Sequence, residues 1–330
     1  MKFYPFSFFL LSLVIHAAEF DYKPTLMFVG PMERLLCTEK TPSILPADLY
    51  YSEAHHRGYQ ISQMLFGSEF SFQFQTNSAF GFWIKGNNFI GFVKEKPNFI
   101  FIDEDLIGRD RACVSVKLAD IYRVGGDQVQ QIPMGAVFHV DNYQDTDGYL
   151  QIVGTNFIIS SDDVVFVKDA KKRNAKEKCR IMLSQARKLL ELPFQWGGNS
   201  ALEGSGFDCS GLIYAAVMVA DCDRANEIGR SVGCWYNKTQ QFDPHKENLV
   251  PGDLILFSTV SKHGIIPCHV AIYSGEDNFI ESSPVEKKII EHSFFDTFAI
   301  DLATIIFSHN HEIDYQGDMF RMSFHKIWLH

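Results

Sequence analysis

Cys209 stands in Gly206-Phe-Asp-Cys-Ser-Gly-Leu212, where a glycine-rich loop meets an apolar run. From Cys209 to Ala220, Leu212, Ile213, Ala216, Val217 and Val219 recur at helical spacing, so the predicted helix begins at the cysteine itself. The first N–H groups of a helix lack intrahelical partners and carry the positive end of its dipole. Both features favour a thiolate, the nucleophilic form of cysteine. The cysteine's own N–H and those of the loop can hold an oxyanion, and the glycines let a substrate backbone come close. The competing role is an inert cysteine buried at a helix start.

A thiol nucleophile needs a base. His269 opens the predicted strand His-Val-Ala-Ile-Tyr-Ser274, and Asn278 to Ser283 is the next strand. With Gly275-Glu-Asp as a three-residue hairpin loop, residue 274 pairs with 278 and residue 271 lies opposite 281. His269 and Glu281 then share one face as diagonal neighbours, about 7 Å apart at their α-carbons. A two-residue loop would put them on opposite faces. A lone histidine at a strand start otherwise serves as an ordinary core or surface residue. Cysteine, histidine and a polar third residue make a nucleophile, a base and an orienter.

These residues need elements to position them. Residues 19 to about 168 are β-rich: Phe70–Phe74 alternates, Phe80–Ile84 and Phe89–Val93 are short aromatic runs, and Val137–Val140, Tyr149–Val153 and Phe157–Ile159 continue the style. The character changes after Val167, where Lys168–Asn174 is a charged linker or helix start. Asn174 to Leu192 carries a helical period that Pro193 ends. Pro251-Gly-Asp then opens a strand from Leu254 to Phe257. Helices followed by strands give an α+β order.

Four ordered blocks carry a resemblance: Pro193-Phe-Gln-Trp-Gly-Gly, Phe207-Asp-Cys-Ser-Gly-Leu, Val250-Pro-Gly-Asp-Leu-Ile-Leu-Phe, and His269-Val-Ala-Ile-Tyr with Phe279-Ile280. Together they resemble the NlpC family of papain-like cysteine endopeptidases of bacterial cell walls, over about residues 175–300. The resemblance implies an exported enzyme that cuts peptidoglycan stem peptides, typically between γ-D-glutamate and a diamino acid. It places the nucleophile at Cys209 and the base at His269. The family's third polar residue is usually His, and here it is Glu281. A carboxylate orients an imidazole and stabilises imidazolium more strongly. The family's usual Tyr before Trp-Gly-Gly is Phe194 here, which removes a hydroxyl near the nucleophile. These two departures leave a second reading, a weak or inactive protein that binds cell-wall fragments.

The N-terminal half also resembles known modules. Leu49–Glu53 with Gln60–Glu69, and Val116–Arg123 with Val129–Ala136, look like two bacterial SH3-like domains. The expected architecture is an α+β papain-like peptidase domain (175–330) preceded by two small all-β SH3-like barrels (19–105 and 106–168). In similar proteins the first barrel lines the cleft, and by position Tyr50 and Glu53 are its candidate substrate contacts. Asp208 and Ser210 match family positions at the substrate's end, although Asp208 equally suits a helix cap. Trp196 is expected to pack under the Gly197-Gly198 loop, with stacking on a ligand as its other role.

Composition sets the remaining bounds. The 330 residues carry 30 basic and 40 acidic side chains, a net charge of −10. That balance argues against a nucleic-acid partner, which calls for clustered Lys and Arg. Met1-Lys2, the apolar run Phe6–Ile15 and His16-Ala-Ala describe a signal peptide over residues 1–18. Export without stable membrane insertion follows, to the periplasm or outside the cell. Seven cysteines leave at least one thiol outside any intrachain disulfide. Cys37, Cys113, Cys179, Cys222, Cys234 and Cys268 show no zinc-ligand spacing, and no metal or organic cofactor is expected. The expected partners are stem peptides or muropeptides.

Overall fold

The computed structural model describes residues 26–28, 32–36, 60–75, 80–84, 89–93, 99–101, 109–142, 148–261, 264–308, 311–315 and 318–329. Tyr50, Glu53, Cys37 and the expected signal segment lie outside these residues. Three antiparallel sheets follow one another along the chain.

The first sheet contains β1 (Leu26–Phe28), β2 (Met32–Leu36), β3 (Gln60–Leu65), β4 (Glu69–Gln75), β5 (Phe80–Ile84), β6 (Phe89–Val93) and β7 (Phe99–Phe101). The second contains β8 (Asp110–Val114), β9 (Leu118–Arg123), β10 (Gln128–Pro133), β11 (Val137–Asn142), β12 (Tyr149–Ile152), β13 (Phe157–Ser160) and β14 (Val164–Phe166). The aromatic runs read from the sequence fall on β4, β5 and β6. Helices α1 (Val167–Lys171), α2 (Ala175–Lys188), α3 (Cys209–Ala220), α4 (Cys222–Ile228) and α5 (Val232–Lys238) come next. The third sheet has the order β15-β21-β16-β17-β18-β19, with β20 beside β21. Its strands are β15 (Gln240–Phe242), β16 (Leu254–Ser261), β17 (Gly264–Gly275), β18 (Asn278–Ser283), β19 (Lys288–Ser293), β20 (Glu312–Tyr315) and β21 (Asp318–Lys326), with α6 (Phe294–Phe298) and α7 (Leu302–Phe307) between β19 and β20.

Helix α2 starts on a capping box: Asn174 Oδ1 accepts from the Glu177 N–H, and Glu177 Oε2 accepts from the Asn174 N–H. It ends at Lys188, before Pro193, and Glu191 turns the chain at a φ of 68°. Helix α3 differs in kind. All twelve of its residues are buried, as a helix apolar on every side must be. Leu212 and Ala216 of α3, with Leu183 and Ala186 of α2, share a core with Leu254, Leu256, Val270, Ile272 and Ile280. The alternate residues Ile255, Phe257, Ala271 and Phe279 pack with Phe294, Leu302 and Ile305 of α6 and α7. The third sheet is therefore covered on both faces, which explains the unbroken apolar run Leu254-Ile-Leu-Phe257.

Three local expectations change. Strand β17 begins at Gly264, so His269 lies within the strand, just after a bulge that leaves Cys268 unpaired between Pro267 and His269. The β17–β18 loop has two residues rather than three: Gly275 pairs with Asn278, and Glu276 and Asp277 both take positive φ (51° and 64°). A bulge at Ser274 adds the missing residue, so Ile272 still pairs with Ile280. The net register is the one that places His269 and Glu281 on one face. Finally, the charged stretch after Val167 forms α1, and α4 to α7 emerge from segments too short to show a period. Asp221, Ser231, Ser293 and Asp301 cap these last four helices.

Gly211 sits in the first turn of α3 under the glycine loop. A Cβ there would come within 2.0 Å of the Gly198 carbonyl oxygen and 2.7 Å of Arg230 Nη2. Gly211→Ala must push helix and loop apart. A loss of about 1–3 kcal/mol is expected in urea denaturation, and an unchanged midpoint would contradict this close approach.

Candidate active site

Cys209 is the first residue of α3 and is 8% exposed. Its neighbour Asp208 is the N-cap, accepting from the Gly211 N–H at Oδ1 (2.6 Å). Asp208 Oδ2 accepts from the Gly197 N–H (2.9 Å). The cation Arg230, 2% exposed, forks onto the same carboxylate, with Nη1 2.9 Å from Oδ1 and Nη2 donating to Oδ2 (3.0 Å). Arg230 also donates to Ser210 Oγ (2.8 Å) and the Gly198 carbonyl (2.8 Å). Ser210 in turn donates to Asp208 Oδ1 (3.1 Å). Asp208 and Ser210 thus spend their polar atoms on each other, the loop and Arg230. A forked, buried pair of this kind holds its partners in one geometry.

The loop before α3 is held from outside the third sheet as well. Gln63 of β3, 1% exposed, accepts from the Asn199 N–H at Oε1 (2.8 Å) and donates to Ser205 Oγ (2.7 Å). The first sheet therefore grips the loop whose other end bonds Asp208. On the far side, Ser282 of β18 donates to the Phe207 carbonyl (2.7 Å).

His269, on β17, reaches both Cys209 and Glu281. Its Nε2 bonds Glu281 Oε2, and its side chain also bonds Cys209. The His269 ring packs on Phe257, with centroids 5.5 Å apart. Burial opposes a charge on His269, but the adjoining Cys209 and the Glu281 carboxylate outweigh it and raise the imidazole above its ordinary value. Glu281 is 6% exposed. Burial resists its ionisation too, yet His269, with help from His292, holds its carboxyl below the usual range. Glu281 Oε1 lies 3.1 Å from His292 Nε2, near enough for an ion pair but off the line of a good hydrogen bond.

Of the residues singled out in the sequence, Cys209, His269, Glu281, Asp208 and Ser210 come together here. Trp196 does not pack under the loop; it is 56% exposed. Phe194 donates its N–H to the Lys287 carbonyl (2.8 Å) and presents no hydroxyl. Arg230, His292 and Gln63 were not foreseen. His292 alone had a readable signal. Ser283 pairs with Lys288 and Glu281 with Ile290, so two residues further along β19 lies a second diagonal neighbour of Glu281.

Residues 191–304 match the NlpC/P60 family. This segment is an NlpC/P60 domain. The domain holds Cys209, His269, Glu281, Arg230 and His292. Among curated relatives, the chain is 34% identical over 110 residues to the gamma-DL-glutamyl hydrolase of Bacillus subtilis (33% of this chain, 25% of that protein). It is 29% identical over 125 residues to the murein DD-endopeptidase MepH of Escherichia coli (37% and 42%). It is 32% identical over 108 residues to the gamma-D-glutamyl-L-lysine dipeptidyl-peptidase of Bacillus cereus (33% and 29%). The chain thus spans about a quarter to two-fifths of the length of these relatives. A crystal structure of an NlpC/P60 family protein from Bacillus cereus superposes with a TM-score of 0.60 at 19% identity, over 82% of this chain and 94% of that one. That likeness is one of fold, and it extends well beyond the NlpC/P60 domain. Among the described residues no helix is long and apolar enough to cross a membrane.

The Asp208–Arg230 pair should dominate the stability of this region. Arg230→Leu leaves a largely buried carboxylate without its cation, and a loss of about 3 kcal/mol is expected by chemical denaturation. Arg230→Lys restores the charge without the fork and should fall between. A Leu variant as stable as wild type would contradict the pairing.

Proposed function

We propose that the protein is an exported cysteine endopeptidase of peptidoglycan stem peptides, cutting the bond between γ-D-glutamate and a diamino acid. The observation that carries this reading is the contact of one histidine with both Cys209, the first residue of α3, and a buried carboxylate. The activities for which the relatives are named, on γ-glutamyl and murein bonds, support the substrate class. The first two sheets serve as SH3-like modules, with Tyr50 and Glu53 as substrate contacts from the first.

The chemistry follows from the site. Glu281 engages His269 Nε2, which leaves Nδ1 for the thiol. His269 takes the Cys209 proton, and the sulfur attacks the γ-carbonyl carbon of the D-glutamyl residue. The N–H of Cys209, at the head of α3, faces the oxyanion that forms. The C–N bond breaks as His269 protonates the departing amine, leaving a thioester on Cys209. Water then gives a proton to His269 and its hydroxide to the thioester carbon, which frees the acid and restores the thiol. Glu281 supports the imidazolium throughout.

Mass spectrometry after incubation with L-Ala-γ-D-Glu-diaminopimelate should show release of the dipeptide L-Ala-D-Glu. Intact substrate across the pH range would favour the binding-only reading that Phe194 and Glu281 motivate. The His269–Glu281 pair also sets a pH dependence. A raised imidazole keeps its proton below its ordinary value and loses it only as pH climbs through the raised one. Glu281→Gln removes part of the cause. The alkaline limb of kcat/KM should therefore fall by about one pH unit or more; an unmoved limb would argue against ion pairing with Glu281.

A further inference from the structure

Strands β17, β18 and β19 carry His269, Glu281 and His292 as successive diagonal neighbours on one face of the third sheet. Glu281 divides its two oxygens between the rings, Oε2 to His269 and Oε1 to His292. On its other side, Thr297 of α6 donates its hydroxyl proton to the Ser293 carbonyl (2.8 Å) and lies 3.1 Å from His292 Nδ1, which keeps Nε2 toward Glu281. Glu281 ionises more readily for having His292 beside it.

We propose that His292 is a positioning residue: set behind Glu281, it orients the carboxylate and limits how strongly Glu281 holds the proton on His269. The inference rests on the reading of Cys209 and His269 as nucleophile and base. It answers a problem that a carboxylate raises in this place. A buried glutamate beside a catalytic histidine over-stabilises the imidazolium, and the ring then gives up its proton to the leaving amine too reluctantly. A second imidazole against the far oxygen draws part of that charge away. The surroundings suit the role. Phe279 packs on the His292 ring with centroids 4.4 Å apart, and it stacks on Phe298. The other carboxylates near β19 are engaged elsewhere, Glu291 with Arg187 and Asp296 with the Ser293 hydroxyl. From β18 the group facing His292 is Glu281, and beyond it on β17 is His269.

The test is the rate of Cys209 alkylation by iodoacetamide as a function of pH, followed by peptide mass spectrometry on the full chain. Reaction of a thiolate–imidazolium pair shows a lower inflection where the pair forms and an upper one where the imidazolium loses its proton. In His292→Leu and His292→Gln the upper inflection should rise by about one pH unit, the opposite direction from Glu281→Gln. Gln keeps a polar group near Oε1 without the ring, so an unmoved inflection in folded Leu and Gln variants would overturn the proposal. Thr297→Val, which removes the partner of Nδ1 outside the reacting groups, should move the inflection the same way. It carries the test if the His292 variants do not fold, and no movement there would equally overturn it. A wild-type Cys209 that titrates in one step like a free thiol would reject the nucleophile reading, and this inference with it. Two steps in wild type with superimposed variants would reject this inference alone.

Discussion

A carboxylate taken out of water must recover in the protein the hydrogen bonds it leaves behind. Asp208 recovers them from three separate pieces of chain: the first turn of α3, the glycine loop at Gly197, and Arg230 beyond α4. That single requirement determines where Cys209 can be. The helix must begin at residue 209, the loop must fold over it, and Gly198 and Gly211 must lack side chains because the two backbones meet there. The first sheet reinforces the arrangement through Gln63, which holds the same loop from the opposite side. The position of Cys209 thus depends on the first sheet and on Arg230 as well as on its own buried helix.

The second half of the site obeys a different logic. His269, Glu281 and His292 are aligned by sheet register, which is set by two bulges and two short loops rather than by hydrogen bonds among the side chains. Register is unforgiving, since a slip of one residue would turn all three away. The apolar layer of Phe257, Phe279 and Phe298 lies beneath them, and α6 and α7 close that layer. A dry floor strengthens each charge interaction above it. The glutamate above this layer keeps its contact with His269.

Local signals made part of this legible. The Cys209 helix could be read from the glycine loop and the apolar run, and its start coincides with the structure. The β17–β18 hairpin was read with the wrong loop and the right register, because the bulge at Ser274 compensates for the shorter turn. What stayed hidden depends on long-range contacts. Arg230 lies in Ile228-Gly-Arg-Ser231, which has no helical period and reveals its role only beside Asp208. Gln63 meets Asn199 across 136 positions of sequence, and no local pattern predicts that meeting. Trp196, expected under the Gly197–Gly198 loop, is exposed instead, and its neighbours in sequence do not reveal which way the ring turns. His292 was missed for want of one more strand, since Lys288–Ser293 reads as a weak, mixed segment.

The central claim is that Cys209 forms and breaks the covalent bond. Its most direct test compares wild type with Cys209→Ala on the same γ-D-glutamyl tripeptide, with thermal melts run in parallel. The account expects dipeptide release to disappear in the variant while the melting transition stays close to that of wild type. Undiminished release by a folded Cys209→Ala protein would contradict it.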